Sequence, residues 1–158
     1  MKKINLGEQI PDFTVAATGE KDITLSQLKG QNIILYFYPK DSTPGCTTEG
    51  KDFSANFIHF KKLNTLIFGV SRDSMKSHQR FKEKQGFPFD LLSDCDENLC
   101  KLFDVIQLKK LYGREYMGIE RSTFFIDSTG KLLQEWRKIK LKGHVDEVLE
   151  FVTNYPKP

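Results

Sequence analysis

Cysteine is scarce in this chain, with three residues in 158. So few, and an odd number, do not build a disulfide framework, and a reducing, cytoplasmic setting is the expected one. Long apolar runs are missing too: none approaches the roughly 18 to 20 residues of a membrane span, so no membrane partner is expected. The opening MKKINLGEQIPDF has neither an apolar core nor a small-residue cleavage site, so it does not read as a secretory signal. No sign of charge dominates, because 24 Lys+Arg face 21 Asp+Glu for a net charge of +3. The basic residues are scattered apart from a mild cluster between Arg137 and Lys142, without the dense basic face that nucleic acid would need. His59, His78 and His144 share no metal-like spacing, so surface or helix-cap roles are expected, with no metal and no cofactor. Repeats, low-complexity tracts and Ser/Gly/Pro-rich linkers are absent, and residues 1–158 read as a single domain that buries roughly two-thirds of its unfolded surface.

What is present alternates between strands and helices. Phe13–Ala16 and Asp22–Leu25, joined by a Thr-Gly-Glu-Lys turn, predict an N-terminal β-hairpin. Ser26 is expected to cap a short helical turn that ends at Gly30. Asn32–Tyr38 (NIILYFY), Thr65–Val70 (TLIFGV) and Thr123–Asp127 (TFFID) are near-continuous apolar runs, as in strands buried on both faces. Asp90–Leu92 and Leu132–Trp136 read as further strands. Helices are expected over residues 46–62, 74–85 and 144–151, and after Asp94, where Glu97 would close a capping box. The order predicts an α/β fold, a mixed central sheet with helices on both faces.

The chemistry concentrates in residues 39–49, PKDSTPGCTTE. Cys46 follows Pro44 and Gly45 between a buried strand and a helical stretch, so it opens a helix. The first helical turn presents unpaired N–H groups and the positive end of the macrodipole, both of which favour a thiolate. A free thiol near pKa 8.5 is only about 3% ionised at pH 7, so full ionisation gains at most about thirtyfold. A thiolate also loses nucleophilicity as its pKa falls. Fast chemistry must therefore come from stabilising a transition state. If the substrate is a peroxide, sulfur attacks one oxygen while charge develops on the other, and both must be held in line. Thr43 can offer its hydroxyl, the Gly45 and Cys46 amides lie beside it, and Gly45 lets backbone approach a ligand closely. A guanidinium would complete the site. Pro39 fixes the entry to the loop and can cover the thiolate against water and further oxidation.

The run YFYPKDSTPGCTTE, then SRDSMKSHQRFKEK, FDLLSD and GIERSTFFID, resembles the peroxiredoxins, and within them the bacterioferritin comigratory, or Q-type, subfamily. The resemblance covers nearly the whole chain. It implies a thioredoxin-like fold and reduction of hydrogen peroxide or organic hydroperoxides through a sulfenic acid on Cys46. It further implies that Arg121 is the guanidinium beside the sulfur, that Glu49 orients it, and that a monomer is reduced by thioredoxin or another thiol. One departure concerns the return step. Many members carry a resolving cysteine five residues after the first, and here that position is Lys51.

Resolution then falls to Cys95, to Cys100 or to a thiol of another molecule. Cys100 follows Leu99 and precedes Phe103 by three residues, beside the apolar stripe of a helix. Cys95 falls in the first turn of that helix, where it would be the more accessible thiol. Two other functions fit the same fold class. A thiol–disulfide oxidoreductase would need a C-x-x-C pair, but Glu49 stands where the second cysteine would be. A noncatalytic interaction module would need an exposed apolar patch instead of a thiolate pocket.

Overall fold

The computed structural model describes residues 3–155. Its centre is Asn32–Phe37 (β3), buried at every position as the unbroken apolar run requires. It pairs in parallel with Thr65–Ser71 (β4), which pairs in parallel with Asp90–Ser93 (β5). On its other side β3 meets Ser122–Ile126 (β8) antiparallel, and Leu132–Trp136 (β9) closes that edge. The hairpin of Thr14–Ala17 (β1) and Lys21–Thr24 (β2) adds to β5, giving the order β2-β1-β5-β4-β3-β8-β9. The mixed sheet and N-terminal hairpin are those expected from the sequence, shifted by about one residue in the hairpin.

Alternation along β3 divides the core. Ile33, Leu35 and Phe37 join one apolar layer, while Ile34, Tyr36 and Tyr38 join the other. Helices Pro44–Ala55 (α1), Phe57–Lys62 (α2), Met75–Gln85 (α3) and His144–Asn154 (α5) cover the second layer through Phe53, Phe60, Phe81 and Val148. Asn98–Leu102 (α4), a 3-10 turn at Leu25–Leu28, the N-terminal segment and residues Phe103, Val105 and Ile119 line the first. Tyr36 stacks on Phe53 at 4.6 Å between centroids, which seats α1 against β3. Gly50 lets α1 also approach the ring of Phe87, which follows α3, because a Cβ there would lie 2.4 Å from that ring.

Four local expectations change. The helix of residues 46–62 begins earlier, at Pro44, and breaks at Asn56, whose amide turns back to the Phe53 carbonyl. Ser26 does not cap; its amide is taken by Asp12, and Thr24 occupies the N-cap position. No capping box forms either. Asp94 reaches over the turn to the amides of Leu99 and Cys100 at 3.0 and 2.7 Å, whereas Glu97 adopts a left-handed φ of 63° and pairs with Arg72. Finally, Ile106–Leu111 (β6) and Arg114–Ile119 (β7) form a separate two-stranded hairpin where the sequence pattern predicts no element.

Candidate active site

The C-terminal end of β3 creates the site. After Tyr38 the chain turns through residues 39–43, with Ser42 at φ 63°, and enters α1 from an extended Thr43. Pro44 has no N–H to offer, and among the described residues no side chain caps the turn. The amides of Gly45 and Cys46 are therefore free of a capping acceptor, at the positive end of a twelve-residue helix. Cys46 is 2% exposed.

Sheet topology supplies the cation. In the antiparallel β3–β8 register Phe37 lies opposite Ser122, so Arg121, one residue earlier, stands beside the loop that leaves β3. Its Nη2 lies 3.4 Å from Cys46 Sγ and its Nη1 donates to Glu49 Oε1 at 2.7 Å. Glu49 is one helical turn beyond Cys46, on the same face. Gly45 lets the guanidinium approach, since a Cβ would sit 3.2 Å from Arg121 Nη2 and 3.4 Å from Leu141 Cδ1 and would press on both side chains. Thr43 differs from expectation in one respect. Its hydroxyl donates to the Lys40 carbonyl at 2.8 Å, so what it presents to a ligand is an acceptor oxygen. Pro39 is half-buried at the loop entry.

Burial pushes the Glu49 carboxyl up to about 7 against the pull of Arg121, and its Oε2 has no hydrogen-bond partner among the described residues. Burial also opposes the charge of Arg121, but Glu49 and Cys46 outweigh it and hold the guanidinium protonated. His144, expected at a surface or cap, is instead buried at the start of α5 and bonds Thr123 Oγ1 at 2.9 Å. Burial and the Arg121 charge push it down to about 4.

These two shifts act on stability with opposite sign. Between its ordinary 4.5 and about 7 Glu49 binds a proton more readily when folded, so stability falls by about 3 kcal/mol as pH rises through that window. His144 binds its proton less readily when folded, so stability is lost as pH falls from 6.5 towards about 4. The parent protein should therefore show a shallow profile in urea unfolding where the windows overlap. Glu49→Gln should leave a limb that rises with pH, and His144→Gln one that falls. Identical slopes in all three proteins would contradict the assignment.

His78 also departs from expectation. It is fully buried in α3, where it meets Asp41. Asp41, Asp73 and His78 bring ligand-type atoms within 4.8 Å of one another. Hydrogen bonds from Tyr38, Ser77, Ser71 and the Asp41 amide already occupy these carboxylates, so the cluster has the chemistry of a network and not of a metal centre. His59 is exposed, as expected.

The remaining cysteines lie in different surroundings. Strands β3, β4 and β5 run parallel, so Cys95, just beyond β5, shares the sheet edge that carries Cys46. It is exposed and contacts the Asp73 carbonyl at 3.5 Å. Cys100 is fully buried in the first apolar layer, across the sheet from Cys46 in the second. Burial, reinforced by Asp94, pushes the Cys100 thiol far up.

Comparison with known proteins agrees with this geometry. Residues 6–135 match the sequence model described as the AhpC/TSA family. "Peroxiredoxin Bcp" of Bacillus subtilis is 51% identical over 147 residues, covering 93% of this chain and 94% of that protein. A Xanthomonas campestris bacterioferritin comigratory protein structure, concerned with alkyl peroxide reduction activity, is 50% identical at a TM-score of 0.85, covering 89% of this chain and 90% of that one. A cysteine mutant of Xylella fastidiosa PrxQ is 43% identical at a TM-score of 0.91, covering 97% of this chain and 98% of that one. With this extent of match and a thioredoxin-like sheet that brings Arg121 to Cys46, the chain belongs to the AhpC/TSA family of peroxiredoxins, among its Bcp or Q-type members.

Proposed function

We propose that Cys46 is the attacking thiolate of this thiol-dependent peroxidase and that Arg121, Thr43 and the first-turn amides of α1 form its peroxide site. The thiolate attacks one peroxide oxygen and the O–O bond breaks. Sulfur, oxidised by two electrons, becomes a sulfenic acid, and the departing oxygen takes up a proton to leave as water or an alcohol. Arg121 and the free amides stabilise the charge growing on the oxygens. Thr43, whose own proton is held by Lys40, accepts from the peroxide O–H and so fixes its direction. Glu49 holds the guanidinium in place, and Pro39 shields the sulfur. The observation that carries the reading is the double engagement of Arg121, 3.4 Å from Sγ and 2.7 Å from Glu49. Consumption of hydrogen peroxide, and of an alkyl hydroperoxide by analogy with the Xanthomonas relative, should be measured with thioredoxin and its reductase or with a small thiol. No consumption with any of these reductants would end the reading.

The return step is assigned to Cys95 before Cys100. Support comes from its exposure and its place at the Cys46 edge of the sheet, whereas Cys100 lies buried in the opposite layer. Its thiol would attack the sulfenic sulfur, forming a disulfide and releasing water, and an external thiol would then reduce the disulfide. After one equivalent of peroxide, mass spectrometry of digested protein should find Cys46 joined to Cys95. Cys95→Ser should leave sulfenic acid or adducts with added thiol, and Cys100→Ser should change nothing. A Cys46–Cys100 linkage would overturn the choice. Dithiol exchange is not favoured, because Glu49, ion-paired to Arg121, fills the place of a second active-site thiol. A monomer, as the subfamily resemblance implies, in the reducing cytoplasm that the scarcity of cysteine suggests, completes the proposal; light scattering tests the oligomeric part.

A further inference from the structure

The loop that delivers Cys46 is tied down by a group the reaction does not use. Asp41 lies within it, 5% exposed, and its carboxylate receives three partners. Tyr38 Oη donates to Oδ1 at 2.6 Å, Ser77 Oγ to Oδ2 at 2.8 Å, and His78 Nδ1 lies 2.7 Å from Oδ2. The Asp41 amide donates in turn to Asp73 Oδ2 at 3.0 Å. His78 projects from the first turns of α3 and its other nitrogen, Nε2, lies 2.9 Å from the Leu92 carbonyl of β5.

Those contacts fix a proton count. A carbonyl oxygen only accepts, so Nε2 must carry a proton. A bare Nδ1 facing a carboxylate oxygen at 2.7 Å would set lone pair against lone pair, so a second proton lies between them. Two other donors already point at the carboxylate, which places that proton on nitrogen. Burial opposes ionisation of Asp41, yet the hydrogen bond and charge of His78 with the two hydroxyls hold its carboxyl below the ordinary range.

We propose that Asp41 and His78 form a buried carboxylate–imidazolium pair that positions residues 39–43 against Cys46, making both of them positioning residues for the peroxidase reaction. The pair ties the loop to α3 and β5. Without it, the side chains of residues 39–43 keep, among the described residues, only the local Thr43–Lys40 bond, and the acceptor oxygen of Thr43 and the first-turn amides lose their fixed relation to Sγ. In-line attack is sensitive to that relation, since a displacement of about 1 Å costs on the order of a hundredfold. A buried ion pair also adds little net stability over an apolar substitute, so its use here is specific placement.

This inference rests on the peroxidase reading, and its test separates the two. In 15N spectra of histidine-labelled reduced protein, both ring nitrogens of His78 should carry protons; a bare nitrogen overturns the pair whatever the activity. Asp41→Ala and His78→Ala should each slow oxidation of Cys46 by roughly tenfold to a hundredfold. The double variant should be no slower than the slower single one, because the residues act as a unit. Unchanged rates with a lowered Tm would reduce the pair to a stability element and defeat the proposal. Asp41→Asn, which can donate its amide to a neutral His78 and still accept from Tyr38, should oxidise faster than Asp41→Ala and show one bare His78 nitrogen. Failure of either result also defeats it. A parent protein inert to peroxide would instead defeat the peroxidase reading and leave the proton count standing.

Discussion

Cys46→Ser should lower peroxide consumption by at least about a thousandfold, to the level of protein-free buffer. Serine fills nearly the same volume, so the start of α1 and the Arg121–Glu49 pair should persist and circular dichroism should be unchanged. What disappears is an ionisable nucleophile: the hydrogen-bonded neighbour of this position is the Arg121 guanidinium, which cannot take a hydroxyl's proton. Cys95→Ser and Cys100→Ser are the necessary comparisons. In stopped-flow measurement of the first turnover both should match the parent, because oxidation of Cys46 precedes any need for a second thiol. Substantial consumption by Cys46→Ser, lost only on replacing Cys95 as well, would transfer the chemistry to the exposed thiol. The buried position of Cys46 beside a guanidinium makes the opposite case, as Cys95 has hydroxyl and carbonyl neighbours but no cation among its hydrogen-bonded partners.

The parts of the fold legible in the sequence are those with one dominant physical signal. NIILYFY and TFFID, short apolar runs rich in β-branched and aromatic residues, fit strands covered on both faces, and they form β3 and β8, the pair whose register delivers Arg121. The Thr43–Cys46 turn was legible because Pro and Gly before a helix have few other uses. Arg121 was not visible in this way: it meets Cys46 across 75 residues of chain, and only the family resemblance singled it out. The β6–β7 hairpin escaped because its strands are mostly exposed on both faces and give no clean alternation of polar and apolar residues. Its signal was the Tyr112–Gly113 turn, both residues at positive φ, between two six-residue strands. His78 was hidden by its own helix. Lys, Arg, Gln and Glu surround it in sequence, and only the packing of Phe81 and Tyr38 shows which face turns inward.

Arg121→Ala should slow Cys46 oxidation by about a hundredfold to a thousandfold, the cost of removing one preorganised donor from a developing oxyanion. Ionisation cannot account for so much. Even complete loss of the thiolate advantage at pH 7 is worth at most about thirtyfold, and measured thiolate absorbance gives the actual share. The remainder belongs to the transition state. Alanine also strands Glu49, whose carboxyl then keeps its burial penalty without its partner, so it should take up a proton and free itself from its charge. Arg121→Lys separates these effects, since an ammonium restores the positive charge but lacks the planar fork that now serves Sγ and Glu49 together. Lysine should therefore recover most of the thiolate absorbance and little of the rate. If rate and thiolate fraction instead rise and fall in proportion across the parent, Lys and Ala proteins, Arg121 only ionises Cys46. The acceleration would then have to come from the uncapped amides of α1 and from Thr43, which are unchanged in all three.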